Sequence, residues 1–152
     1  MLGRFIAGIL TIAFVILLSV KNMGVRENKR SEDSIAYALE LFVEEAKITG
    51  RISLDDYELL LNRVSFSGEK CLVGIKVGTI VHGIYENYIE AISTEEVLEW
   101  LGKSDSSVDV RGRMITLYAI PLEKGLGSKL ANLVWESITS KKIIVFGDYI
   151  HG

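Results

Sequence analysis

A handful of side chains have the types and spacing from which chemistry is usually built. Asp55-Asp56 and Glu95-Glu96 are paired carboxylates, the raw material of general acid–base catalysis. Neighbours on a helix point about 100° apart, so neither pair converges on one proton. Both pairs fit the positive first turn of a helix better, with Ser53 and Ser93 as N-caps. His82 and His151 are the only histidines, and neither has a second ligand at a spacing such as H-x-x-x-H, so no metal site is assigned. Cys71 opens a β-rich run with no basic pair nearby to depress its pKa, and reads as a small buried hydrophobe. Gly125-Leu126-Gly127-Ser128 precedes a helical pattern, as a phosphate loop does. It lacks a third glycine and the G-K-[ST] ending, so it reads as a turn and N-cap.

No catalytic, cofactor-binding or metal-ligating residue emerges, and the expectation is a protein that is not an enzyme and uses no cofactor. Two histidines in such settings support neither a Ser-His-Asp nor a Cys-His constellation. The 152 residues are 49% hydrophobic and 24% charged, with a single proline, which excludes a disordered or collagen-like chain. The net charge of −3, from 17 Lys+Arg against 20 Asp+Glu, gives no nucleic-acid footprint. One cysteine excludes an intramolecular disulfide framework. No small-molecule substrate is expected.

The apolar residues are unevenly placed. Phe5 to Val20 carries no charge and is bounded by Arg4 and Lys21. Its 16 residues span about 24 Å as a helix, short of the roughly 30 Å hydrocarbon core. Met1 to Arg4 extend it, and Arg4 and Lys21 can snorkel to the interfaces. The eleven Leu, Ile, Phe and Val residues in it supply roughly −3 to −6 kcal/mol towards insertion. A cleaved signal peptide requires a small-x-small site, but the run exits through Ser19-Val20-Lys21-Asn22-Met23. A soluble core helix requires a polar side, and only Thr11 and Ser19 interrupt this one. The segment therefore reads as an uncleaved single-pass anchor over residues 1–22. Lys21, Arg26, Lys29 and Arg30 after the span favour a cytoplasmic domain by the positive-inside count, although Glu27, Glu32 and Asp33 are interspersed among them.

The remainder is α+β, with helices first and a small antiparallel sheet after. A juxtamembrane hinge is expected over residues 23–30, centred on Asn22-Met23-Gly24, and a folded domain over 31–152. Ile35, Leu39, Phe42 and Ala46 form an apolar stripe on a helix from about Ser31 to Thr49, with Gly50 as its left-handed cap. A second helix after Ser53 buries Tyr57, Leu60, Leu61 and Val64, making a helical hairpin. Cys71 to Val81 reads as a strand, while Tyr85 to Ile92 is open between strand and loop. Ser93-Thr94-Glu95-Glu96 opens a short helix expected to close at Gly102. Val108 to Val110 and Arg113 to Ile120 flank Arg111-Gly112 as a hairpin, ended by Pro121. Ser128 to Ser137 reads as a helix and Lys142 to Ile150 as a last strand.

One segment carries a resemblance. Phe42-Val43-Glu44-Glu45-Ala46-Lys47-Ile48-Thr49-Gly50-Arg51-Ile52-Ser53 fits an F-V-x-x-x-[KR]-x-T-G-[KR]-I-[ST] pattern. With Tyr57, the Ser67-Gly68 turn, the strand from Cys71 and the closing Ile144-to-Ile150 segment, it resembles small membrane-anchored proteins of bacterial tight-adherence (type IV pilus-like) clusters, the minor-pseudopilin group. The resemblance implies an exported, extracytoplasmic domain on a helix that packs beside pilin-like helices or a secretion platform. Gly3, Ala7 and Gly8 are the small residues that permit such close approach. The sequence departs from a standard prepilin, which has Glu five residues into its mature helix after a glycine. Here Gly3 and Gly8 are followed at that spacing by Gly8 and Ala13, and no acid precedes Glu27.

The expectation is therefore an uncleaved, non-catalytic accessory subunit of a pilus or secretion assembly, with the membrane and pilin-like or secretion-platform proteins as its partners. A membrane-tethered ligand-binding or sensory module is the alternative.

Overall fold

The structure is a computed structural model that describes residues 2–104, 107–122 and 143–151. The helix expected at residues 128–137, and with it Gly125 to Ser128, lies outside the described residues.

The first helix, α1 (Leu2–Thr49), runs unbroken for 48 residues, about 72 Å. The hinge expected at Asn22-Met23-Gly24 is helical instead, and the helix expected to start near Ser31 is the continuation of the apolar one. A glycine inside a helix costs about 1 kcal/mol against alanine, and asparagine rather less. That penalty is small where helix on either side has already met the cost of nucleation. α1 ends where expected. Gly50 has φ of 69° and its N–H donates to Ala46 O at 2.8 Å, the left-handed cap that glycine adopts without strain.

The connection out of α1 is a three-residue strand, β1 (Arg51–Ser53), which leads into α2 (Leu54–Ser65). Ser53 caps α2 reciprocally. Its Oγ accepts from Asp56 N at 3.2 Å, and its own N–H donates to the Asp56 carboxylate at 3.0 Å. Arg63 grips Glu45 with both guanidinium nitrogens, at 2.9 and 3.0 Å, and so clamps α2 against α1.

Two antiparallel strands follow, β2 (Cys71–Val81) and β3 (Ile84–Ala91). The register shifts between Val77 and Thr79, where Asn87 on β3 takes a φ of 47°. After β3, Ser93 caps α3 (Thr94–Lys103) with the same reciprocal geometry, through Glu96. Gly102 lies within α3 rather than ending it, and Ser104 is the C-cap.

The hairpin expected around Arg111-Gly112 does not form. β4 (Ser107–Asp109) pairs with β1, placing Ile52 opposite Val108. β5 (Met114–Pro121) joins a second sheet. Between them Val110 is fully buried and donates to Gly50 O at 3.0 Å, which fixes the chain against the end of α1 instead of letting it fold back on β4. β5 stops at Pro121, and β6 (Ile144–Tyr149) completes the main sheet in the order β3-β2-β5-β6, antiparallel throughout.

The core lies between the helices and one face of this sheet. Val73, Ile75 and Val77 of β2 stand opposite Ala119, Leu117 and Ile115 of β5. They pack with Ile35, Leu39 and Phe42 of α1, Tyr57 and Leu60 of α2, and Val97 and Leu101 of α3. The Tyr57 hydroxyl donates to Val73 O at 2.5 Å, so the polar tip of this buried ring is satisfied.

Candidate functional site

The apolar half of α1 is the largest exposed feature. Ile9, Leu10, Ile12, Phe14, Val15 and Ile16 are each more than half exposed. Soluble domains rarely present so extended an apolar surface. The helix is long and apolar enough to cross a membrane. An added Cβ at Gly8 meets nothing within 4 Å, so this face is open to a neighbour.

Among the described residues, the groups singled out for chemistry do not come together in one place. Asp56 and Glu96 are both engaged in capping boxes, with Ile92 N also donating to Glu96 at 2.8 Å. His82 occupies the β2–β3 turn with a φ of 51°, and His151 packs edge-on to Tyr149 with ring centroids 5.2 Å apart. The two histidines thus sit on separate elements. Among the described residues no three His, Cys, Asp or Glu side chains gather to hold a metal ion. Cys71 is half-buried, and its burial, with Glu69 adding negative charge, pushes the thiol up to about 11. It is the opposite of an activated nucleophile.

Two features were not singled out in the sequence. The first is on the sheet face away from the helices. Lys76 Nζ lies 4.8 Å from the Tyr85 ring centroid and 4.1 Å from that of Tyr88, and 3.7 Å from the Glu90 carboxylate. Tyr85 shares a 2.5 Å hydrogen bond with Thr116 Oγ1. Tyr118 belongs to the same face, and burial raises its pKa while Lys76 works against that rise. A strand lysine becomes visible as an aromatic-held cation only once β3 is paired with β2. The Tyr85 hydroxyl meets the neutral Thr116 hydroxyl while the Glu90 carboxylate faces Lys76, so the cluster presents a cation held against two aromatic rings.

The second is a cavity of about 430 Å³ at the end of the domain nearest the apolar half of α1. Leu61 and Val64 of α2, Cys71 at the start of β2, Thr94 of α3 and Leu122 after β5 line it. Glu69 and Lys70 stand at its edge, in the turn held to α1 by the 3.1 Å Ser31 Oγ to Ser67 O hydrogen bond. Glu69 is held above the usual carboxylate range by burial, reinforced by Glu32. The walls are mostly apolar, with Ser65, Thr94, Glu69 and Lys70 as their polar members.

No family model matches the chain, and no curated protein or solved structure matches it either.

Proposed function

We propose that the protein is a single-pass, membrane-anchored, non-catalytic accessory subunit of a bacterial pilus-like or secretion assembly, with its domain (residues 31–152) outside the cytoplasm. The observation that carries this reading is α1 itself, an exposed apolar half and a domain-packed half joined in one rigid rod. A flexible tether suffices to hold an enzyme or receptor at a surface. A continuous helix fixes the height and orientation of the domain relative to the span, which is what a subunit in an ordered assembly requires. The T-G-[KR]-I-[ST] segment at the end of that helix points the same way.

The test is topological. A periplasmic-type reporter fused after Gly152 should be active, protease added to spheroplasts or protoplasts should remove the domain, and the mature chain should keep its full N-terminal mass. A gene neighbourhood containing a secretion ATPase and paired platform proteins would add support. A protected domain with an active cytoplasmic reporter would overturn the assembly reading. One observation favours a second reading, a tethered binding module: the Lys76–Tyr85–Tyr88 surface has the chemistry of a recognition face.

A further inference from the structure

The charges of the chain are divided by position. Residues 1–30 hold 5 Lys+Arg against 1 Asp+Glu, while residues 31–152 hold 12 against 19, so the first part stands at +4 and the domain at −7. Three of the early cations, Arg26, Lys29 and Arg30, lie on α1 between its apolar half and its buried stripe. At about 100° per residue they fall within roughly 100° of arc. Ser31, which binds Ser67 O, and Ile35, which lies in the core, sit roughly 140° and 180° round the helix from Arg26. The basic face therefore points away from the domain, and all three cations are exposed. Among the described residues none of the three forms a hydrogen bond or ion pair, although Glu27 and Asp33 lie within about a turn of them.

We infer that this face grips the phosphates of anionic phospholipid headgroups at the membrane surface from which α1 emerges. The rise of the helix puts Arg26, Lys29 and Arg30 about 9, 14 and 15 Å beyond Val20, the last residue of the uncharged run. The polar headgroup layer is about 5–8 Å deep. Side chains on a helix lean towards its N-terminus, which in α1 is the end within the membrane. That lean lowers Arg26 into the headgroups and brings Lys29 and Arg30 within a Debye length of them, about 8 Å at physiological salt. An anionic surface attracts cations placed in this way. It repels a domain at −7, so the same field that holds the basic face keeps the domain off the surface and the rod upright. The inference rests on the membrane anchor of the proposed reading, and it holds on whichever side of the membrane the domain lies.

The experiment reconstitutes the full chain in phosphatidylcholine vesicles carrying a trace of spin-labelled phosphatidylglycerol or spin-labelled phosphatidylcholine. Electron paramagnetic resonance then reads the fraction of each label immobilised at the protein. Phosphatidylglycerol should be preferred at least about threefold at low salt. The preference should fall towards equality in about 1 M NaCl, where the Debye length shrinks to about 3 Å. Arg26→Gln/Lys29→Gln/Arg30→Gln should lose it in the same way, with an unchanged Tm, because glutamine keeps the helix propensity of the exposed residues it replaces. Lys103→Gln, which removes an exposed cation from α3, should retain it. A preference that survives the triple variant or high salt would overturn the inference. So would equal binding of the two lipids by the wild-type chain, which would leave the face to an acidic protein partner. Release of the chain from the vesicles by alkaline carbonate would remove the membrane anchor itself, whereas a chain that stays embedded and shows no preference refutes the lipid contact alone.

Discussion

Phe42 and Phe66 offer the same substitution at opposite extremes of burial, 1% against 88% exposed. Phe42 lies on the face of α1 that meets α2 and the sheet, inside the continuous core. Truncation to alanine there removes the ring and leaves a cavity among the buried side chains of the core, at a cost of about 3–5 kcal/mol. The unfolding entropy of a domain of about 120 residues is roughly 0.25 kcal/mol/K, so Phe42→Ala should lower the Tm by about 12–20 °C. Phe66→Ala loses little contact and should shift it by no more than about 2 °C. Near-ultraviolet circular dichroism suits the measurement, because all six tyrosines and both tryptophans lie beyond the apolar half of α1. The full chain is melted in detergent micelles, with the apolar half of α1 contributing little signal. A Phe42→Ala protein with an unchanged Tm, or a Phe66→Ala protein destabilised as much, would refute the packing of α1 on α2 and the sheet.

Other outcomes follow from single groups. Cys71→Ala should cost at most about 1–2 kcal/mol in urea titration and leave assembly intact, and alkylation of Cys71 should remain slow at neutral pH and climb towards pH 11. Tyr57 ionises at about 12 in the fold against 10 when unfolded, because burial disfavours the phenolate. The stability it contributes is complete below pH 10 and is lost as the pH rises towards 12. That loss amounts to about 2–3 kcal/mol, and Tyr57→Phe should remove it from the alkaline limb of a pH–stability profile. Gly74→Ala puts a Cβ 2.8 Å from the carbonyl oxygens of Ala91 and Ile92, so it should cost about 1–3 kcal/mol by chemical denaturation. Breaking the Arg63–Glu45 clamp with Arg63→Gln should cost under about 1 kcal/mol, because both side chains remain partly in water.

Local signals in the sequence carried further than long-range ones. Cys71 to Val81 is a strand over the whole expected run, since β-branched residues and the glycine turn at 83 bound it on the spot. Ser53 and Ser93 cap helices through Asp56 and Glu96 because the acceptor and donor lie only three residues apart. Ile35, Leu39, Phe42 and Ala46 are buried as their spacing requires. The partner of β4 was not legible in this way. Val108 has a nearer candidate in β5 than in β1, and the choice is made by Val110, whose N–H binds Gly50 more than fifty residues away. The Lys76 cluster was hidden for a similar reason. Its register with Glu90 and its approach to Tyr85 and Tyr88 depend on a bulge that no periodicity announces. The cavity depends on how the ends of α2, β2 and α3 meet, and no single segment encodes that.

The continuity of α1 is the point at which propensity and physics part company, and it also decides what kind of anchor the proposed reading requires. Asn22 and Gly24 are poor helix residues, and on a tripeptide scale they advertise a joint. They stand, however, between two segments that have independent reasons to be helical. In hydrocarbon, the apolar half must satisfy every backbone N–H and C=O internally, which leaves the helix as its only form in a single span. From Ile35 onwards the helix is fixed by the buried stripe against α2 and the sheet. Melting the junction would give up backbone hydrogen bonds and bring in end groups that need new partners. Keeping it helical costs only the propensity penalty of about 1–2 kcal/mol. The balance falls on the side of the rod, and a rod transmits orientation where a hinge would not. Replacing Asn22-Met23-Gly24 with Pro-Gly-Gly should therefore leave the Tm of the domain unchanged, because no core residue is altered, while abolishing assembly scored by co-isolation of partners from membranes. Assembly that survives this break would show that the domain acts through its surfaces alone, and the tethered binding module would then be the better account.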